Sequence, residues 1–112
     1  MSINSVSITG RLTDDPTARE AGGTKVLEMR VAINNQRKNP QTGEWVEDPC
    51  YIDVSYFTNG ADKMAAMLHK GSHIGVTGQL RQDSWTNKDG EKRSKVYIRA
   101  NDFEFLDAKA QQ

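Results

Sequence analysis

Cysteine occurs once in the 112 residues, at Cys50. A single thiol cannot build an internal disulfide framework, and it fits a reducing compartment, so the cytoplasm is the expected location. Long apolar runs are missing too. The longest, Met64 to Leu68, falls far short of the ~20 residues that cross a bilayer, and no membrane partner is expected. The opening MSINSVSITG lacks the basic start and apolar stretch of a secretion signal. Hydrophobic content is a modest 36%, which implies one small core with long polar loops around it.

Net charge is also absent, with 15 basic and 15 acidic residues, but the balance hides a pattern. Residues 1–60 carry six basic and eight acidic side chains, residues 61–101 eight and four, and residues 102–112 one and three. A basic segment between acidic ones is mild evidence for an anionic partner; a solvated surface of mixed charge explains the count equally well.

Reactive chemistry is scarce. His69 and His73 stand four apart, but Gly71 falls between them where a helix should stop, and no acidic or cysteine ligand is adjacent. Two surface histidines are expected there, and no metal. Asp14, Asp15, Asp62 and Asp102 sit at turns and element ends, where capping explains them. No glycine-rich loop runs into Lys and Ser or Thr to cradle a nucleotide. Cys50 belongs to the apolar side of its strand, where a nucleophile would be hidden. No catalytic residue and no cofactor is expected. The sequence reads as a binder.

What is present is alternation. SVSITGRL sets Val6, Ile8 and Leu12 against Ser5, Ser7 and Thr9, and KVLEMRVAIN sets Leu27, Met29, Val31 and Ile33 against Glu28, Arg30, Ala32 and Asn34. Both are strands. Gly22-Gly23 marks a loop between them, and QRKNPQTGEW carries the turn residues of an extended hairpin. CYIDVSYF is the third strand. NGADKMAAMLHKG changes period: Ala61, Met64, Ala65 and Leu68 recur at helical spacing, Asn59 can cap the start, and Gly71 suits the left-handed position after the end. HIGVTGQL and VYIRANDFEFL are the last two strands, joined by a long polar hairpin turning at Asp89-Gly90. Three strands, a short helix and two strands is the chain order of an all-β, five-stranded OB-fold Greek-key barrel. Such barrels bind oligonucleotides or oligosaccharides across strands 2 and 3 and the neighbouring loops.

The third strand then poses a question. Cys50, Ile52, Val54 and Tyr56 fall on its core side, which leaves Tyr51 and Phe57 beside Asp53 and Ser55 on a side that should be wet. Trp45 stands just past the 2–3 turn, with Arg37 and Lys38 before it and Arg30 outward on strand two. Trp85 stands in the last hairpin, preceded by Arg81 and surrounded by Lys88, Lys92, Arg93 and Lys95. Single exposed rings are common and can fill subunit contacts. Four of them, on the face and loops an OB barrel uses, fit bases. Every base offers a flat π-face and Lys and Arg follow phosphates, so the arrangement selects single strands without reading sequence.

The same residues resemble the bacterial-type single-stranded DNA-binding proteins over about residues 3–106. INSVSITGRLTDDP, TGEWVEDPCYIDVSYF, LHKGSHIGVTGQLR and SWTNKDG carry the likeness. The resemblance implies an OB fold, generally a homotetramer, that coats and protects single-stranded DNA during replication, recombination and repair, and a cytoplasmic, nucleoid-associated location. It places stacking rings at Tyr51, Phe57 and Trp85, and basic contacts at Lys70 and Arg81. It also has departures. Arg37 stands where many members carry a Trp, a role Trp45 can take from the other arm. Asp53 stands where some carry a basic residue, and would repel phosphate. The long acidic-tipped tail is missing from this chain, which stops at DAKAQQ either as a short variant or as a shortened piece, so tail-mediated replication and repair partners are not expected for it.

The expectations are therefore a single-stranded DNA-binding domain at 1–106 and a short disordered extension at 107–112. Trp45, Tyr51, Phe57 and Trp85 stack bases, while Arg30, Arg37, Lys38, Lys70, Arg81, Lys88, Lys92 and Arg93 meet phosphates. First strands pair across a two-fold axis, and two such dimers make the tetramer. The rival reading is a small OB-fold adaptor of the primosome type whose main partner is a protein.

Overall fold

The computed structural model describes residues 2–107; residues 108–112, most of the expected extension, lie outside the described residues. In chain order come β1 (Val6–Leu12), β2 (Thr17–Ala21), β3 (Thr24–Ile33), β4 (Gln36–Lys38), β5 (Trp45–Glu47), β6 (Cys50–Phe57), α1 (Ala61–Met67), β7 (His73–Thr86) and β8 (Lys92–Phe105). The five strands that alternation predicts are β1, β3, β6, β7 and β8. The main sheet runs β1-β7-β8-β6-β3-β2, and β1 returns to β3 through Arg11 opposite Ala32 and Leu12 opposite Val31. That return closes an all-β OB barrel.

Every ladder in it is antiparallel except one. Strands β6 and β8 meet in parallel through Asp53, Val54 and Ser55 opposite Tyr97, Ile98 and Arg99. Inside lie Leu12, Leu27, Met29, Val31, Val54, Ile74, Val76 and Ile98, joined by Ala61 of α1 and by Leu68. Each large aliphatic side chain buried there contributes about 1.5–3 kcal/mol relative to exposure. The cross-strand approach is tight at Gly78, beside the register shift at Thr77/Gly78. A Cβ there would run into the Arg99 carbonyl oxygen and come within 2.9 Å of the Ala100 Cα.

Two arms leave the barrel. Among the described residues strands β4 and β5 pair only with each other. Their turn is built as the sequence predicts: Asn39 Oδ1 accepts the Gln41 N–H at 2.9 Å, and Gly43 has φ +76°. The outer halves of β7 and β8 form the second arm. At its tip Asn87 Oδ1 accepts the N–H groups of Asp89 and Glu91, with Gly90 at φ +80°.

Several local expectations are corrected. Cys50 is exposed rather than in the core. It keeps the inward parity of β6 but is the first residue of that strand, opposite Ile33, past the layer where Val31 and Val54 are buried. Asn59 does not cap α1. The N-cap is Gly60, without a side-chain bond, and Thr58 Oγ1 accepts the Gly60 N–H at 3.2 Å. The helix stops at Met67, so the left-handed Gly71 (φ +91°) serves the turn into β7 rather than the helix end, its N–H bonding the Leu12 carbonyl at 2.8 Å. Strand β2 is an addition. It pairs with β3 from Thr17 opposite Glu28 to Ala21 opposite Thr24, turning at the Gly22-Gly23 pair.

Candidate nucleic-acid interface

Register converts residue numbers into faces, because residues paired across a ladder share a side of the sheet. Inward Val54 and Ile98 put Asp53, Ser55, Tyr97 and Arg99 outward at the parallel seam. Extending through the neighbouring ladders gives one lateral row of Arg30, Asp53, Tyr97 and Arg81, and a second of Glu28, Ser55, Arg99 and Gln79. The same face continues along β6 to Tyr51 and Phe57. Along the second arm it continues through Lys95 opposite Asp83 to Arg93 opposite Trp85. Arg30, Tyr51, Phe57, Arg81, Trp85 and Arg93, far apart in sequence, thus lie on one continuous outer surface.

The rings on it are open to solvent: Trp45 is 65% exposed, Tyr51 52%, Trp85 49% and Phe57 36%. Two of them carry a guanidinium. Arg30 Cζ lies 5.7 Å from the Tyr51 ring centroid, and Arg99 Cζ lies 4.4 Å from that of Phe57.

Other expected residues sit elsewhere. Trp45 is on the first arm, opposite Lys38, while Arg37 points to that arm's other side. Lys92 pairs with Thr86 and by alternation lies on the reverse side of the second arm from Trp85 and Arg93, and Lys88 is in its tip. Lys70 lies in the turn before β7, where its N–H donates to Asp15 Oδ1 at 2.8 Å. Asp15 in turn lines a shallow pocket with Arg30, Asp53 and Lys95, which brings the backbone at Lys70 to the rim of the face.

The cations divide into two kinds. Asp53 lies 3.5 Å from Arg30 and 3.1 Å from Lys95, Asp48 lies 3.8 Å from Arg37, and Glu91 lies 3.4 Å from Arg93. Asp53 is therefore not the bare repelling charge the sequence implies; its one negative charge is shared between two cations of the face. No described carboxylate lies within ion-pair distance of Lys38, Lys70, Arg81, Lys88, Lys92 or Arg99. Glu28, at the edge of the face, is gripped by Arg19 through two contacts of 3.0 Å. That hydrogen bond holds the Glu28 carboxyl below its ordinary value, against partial desolvation and with the help of the Arg19 charge.

Tyr97 and Arg99 were not singled out from the sequence. The signal was there: Ile98 and Ala100 read as inward, so 97 and 99 read as outward. Among the described residues no three His, Cys, Asp or Glu side chains gather where a metal could sit.

The profile of the Single-strand binding protein family matches residues 3–106. The chain belongs to the single-strand binding protein family. Within it, Single-stranded DNA-binding protein 2 of Chlorobaculum tepidum is 38% identical over 106 residues, covering 93% of this chain and 71% of the relative. The Single-stranded DNA-binding protein of Borreliella burgdorferi is 38% identical over 98 residues, covering 86% and 64%. This chain thus spans about two thirds of the length of such relatives. A deletion mutant of the single-stranded DNA binding protein from Thermus aquaticus superposes with TM-score 0.80 at 31% identity, over 96% of this chain and 52% of that one. The fold also matches the Plasmodium falciparum SSB, solved in complex with ssDNA, with TM-score 0.83 at 22% identity over 96% and 97% of the two chains.

Proposed function

We propose that this member of the family binds and protects single-stranded DNA without sequence preference, as a non-enzymatic coat during replication, recombination and repair. One observation carries the reading: solvent-exposed rings at Tyr51, Phe57 and Trp85 share a continuous face with unpaired cations. In duplex DNA the base faces are hidden in the stack, so this surface has purchase only on single strands. Tyr51, Phe57 and Trp85 stack bases there, and Trp45 does so from the first arm. Arg81 and the paired Arg30 and Arg93 meet phosphates on the face. Arg37, Lys38, Lys70, Lys88 and Lys92 do so from the arms and turns. A protein adaptor would leave that ring-and-cation track without a role, and is not favoured. The proposed setting is the cytoplasm, against the nucleoid.

Assembly into a tetramer is part of the proposal. Among the described residues one side of β1 pairs with β7, and on the other only Arg11 and Leu12 pair with β3. Val6–Gly10 therefore offers an open edge to a second copy. Two such dimers would present four faces to one DNA strand, multiplying weak contacts through effective concentration. Titration with oligo-dT should quench tryptophan emission strongly, and duplex of equal length should not. Light scattering at micromolar concentration should give four chains; a monomer mass with binding intact would refute the tetramer.

A further inference from the structure

We infer that Arg99 is a further single-strand contact, resting on the Phe57 ring when DNA is absent and passing to a phosphate when a base takes that ring. The inference rests on the single-strand reading and adds to it a residue that the stacking argument does not supply.

Position comes first. Ile98 and Ala100, both buried, fix Arg99 outward, and its backbone is held against Gly78, whose missing Cβ leaves room for the Arg99 carbonyl. Its neighbours across the two ladders are Ser55 and Gln79, neither of them charged. No described carboxylate pairs with it. Among the described residues its side-chain partner is the π-face of Phe57, 4.4 Å from Cζ to the centroid, a contact that suits a guanidinium and is weak in water.

Two consequences follow from that placement. The guanidinium covers a ring face that a stacking base would use, so a base arriving there has to displace it. The phosphate joined to that base is one sugar away, within the sweep of a long side chain rooted beside the ring. A guanidinium binds phosphate through two parallel N–H bonds, and Arg99 gives up no ion pair to do so. Arg30 contrasts with it. Arg30 also leans on a ring, that of Tyr51, but is tethered to Asp53, and moving to a phosphate would cost it that partner.

The test compares wild type with Arg99→Gln and Arg99→Lys in oligo-dT titrations over a range of salt, with thermal melts to verify folding. Loss of one phosphate contact lowers the magnitude of the log–log salt slope by about 0.7, equivalent to about fivefold between 1 M and 0.1 M salt. Arg99→Gln should show that smaller slope and a matching loss of affinity at low salt. Arg99→Lys should restore the slope, since the charge is kept. An unchanged slope in Arg99→Gln, or tighter binding because the ring is uncovered, would overturn the inference and reduce Arg99 to a ring guard. Failure of the wild-type chain to bind oligo-dT at all would instead remove the single-strand reading itself.

Discussion

The carboxylate of Asp53 on β6 lies 3.1 Å from the ammonium of Lys95 on β8, and the same carboxylate reaches Arg30 on β3 at 3.5 Å. One acid on β6 thus holds a cation from each of the two flanking strands in the middle of the proposed binding face. Replacing Asp53 by Asn removes a negative charge and frees both cations. The expected result is tighter oligo-dT binding, by about fivefold or more at 0.1 M salt, and a slope steeper by about 0.7 for each freed cation that finds a phosphate. Weaker binding would show instead that Asp53 is needed to aim Arg30 and Lys95.

Stacking is the second expectation. Each ring that stacks one base contributes about 1–3 kcal/mol, so Trp85→Ala with Phe57→Ala should cost about 2–6 kcal/mol if the effects add. The double variant should still melt cooperatively, because both rings are largely outside the core. Affinity equal to wild type would remove the central claim about the face.

Backbone crowding gives a third. Gly78→Ala drives a methyl into the Arg99 carbonyl, whereas Gly75→Ala meets nothing nearer than the Leu106 Cδ1 at 3.4 Å. Overpacking of the first kind costs about 1–3 kcal/mol. Urea melts should therefore separate the two variants, with Gly75→Ala close to wild type. Gly78→Ala should also weaken DNA binding, since it shifts the strand that carries Arg99 and Tyr97.

The fourth concerns pH. Glu28 is held below its ordinary value of 4.5 by the Arg19 hydrogen bond. A depressed carboxyl contributes stability that is complete above its unfolded value and disappears as pH falls through the folded one. The pair is well exposed, so the contribution is small, within about 1 kcal/mol. The stability difference between wild type and Glu28→Gln should be flat from pH 7 to about pH 5, then close on further acidification. A difference that grows in acid would contradict the assigned direction.

Much of the fold was legible because β1, β3, β6, β7 and β8 each have one buried side, and period-two apolar patterning records that directly. Strand β2 was hidden because TAREA buries none of its residues fully; it exists by pairing with β3, which leaves no alternation to read. Cys50 shows the opposite limit: parity placed it correctly on the inward side, but parity does not say where the core ends. The rings at Tyr51, Phe57 and Trp85 were legible as outward residues on polar strands. Their union into one face was not, since it depends on β6 meeting β8 in parallel across a long sequence gap. The pairing of Lys95 with Asp53 depends on that same contact, because the two residues lie on β8 and β6.

That parallel seam has a mechanical side. Only three residue pairs join β6 to β8, and they alternate between the interior (Val54, Ile98) and the surface that DNA would cover. The latch of the barrel and the floor of the proposed binding track are one structure. A strand of DNA lying across Asp53, Ser55, Tyr97 and Arg99 would act as a strap over the latch, so that the barrel could not spring open there without first letting go of its cargo. Amide hydrogen exchange at Val54 and Ile98 should then slow on loading by the factor 1 + [L]/Kd, if opening there proceeds only from the free protein.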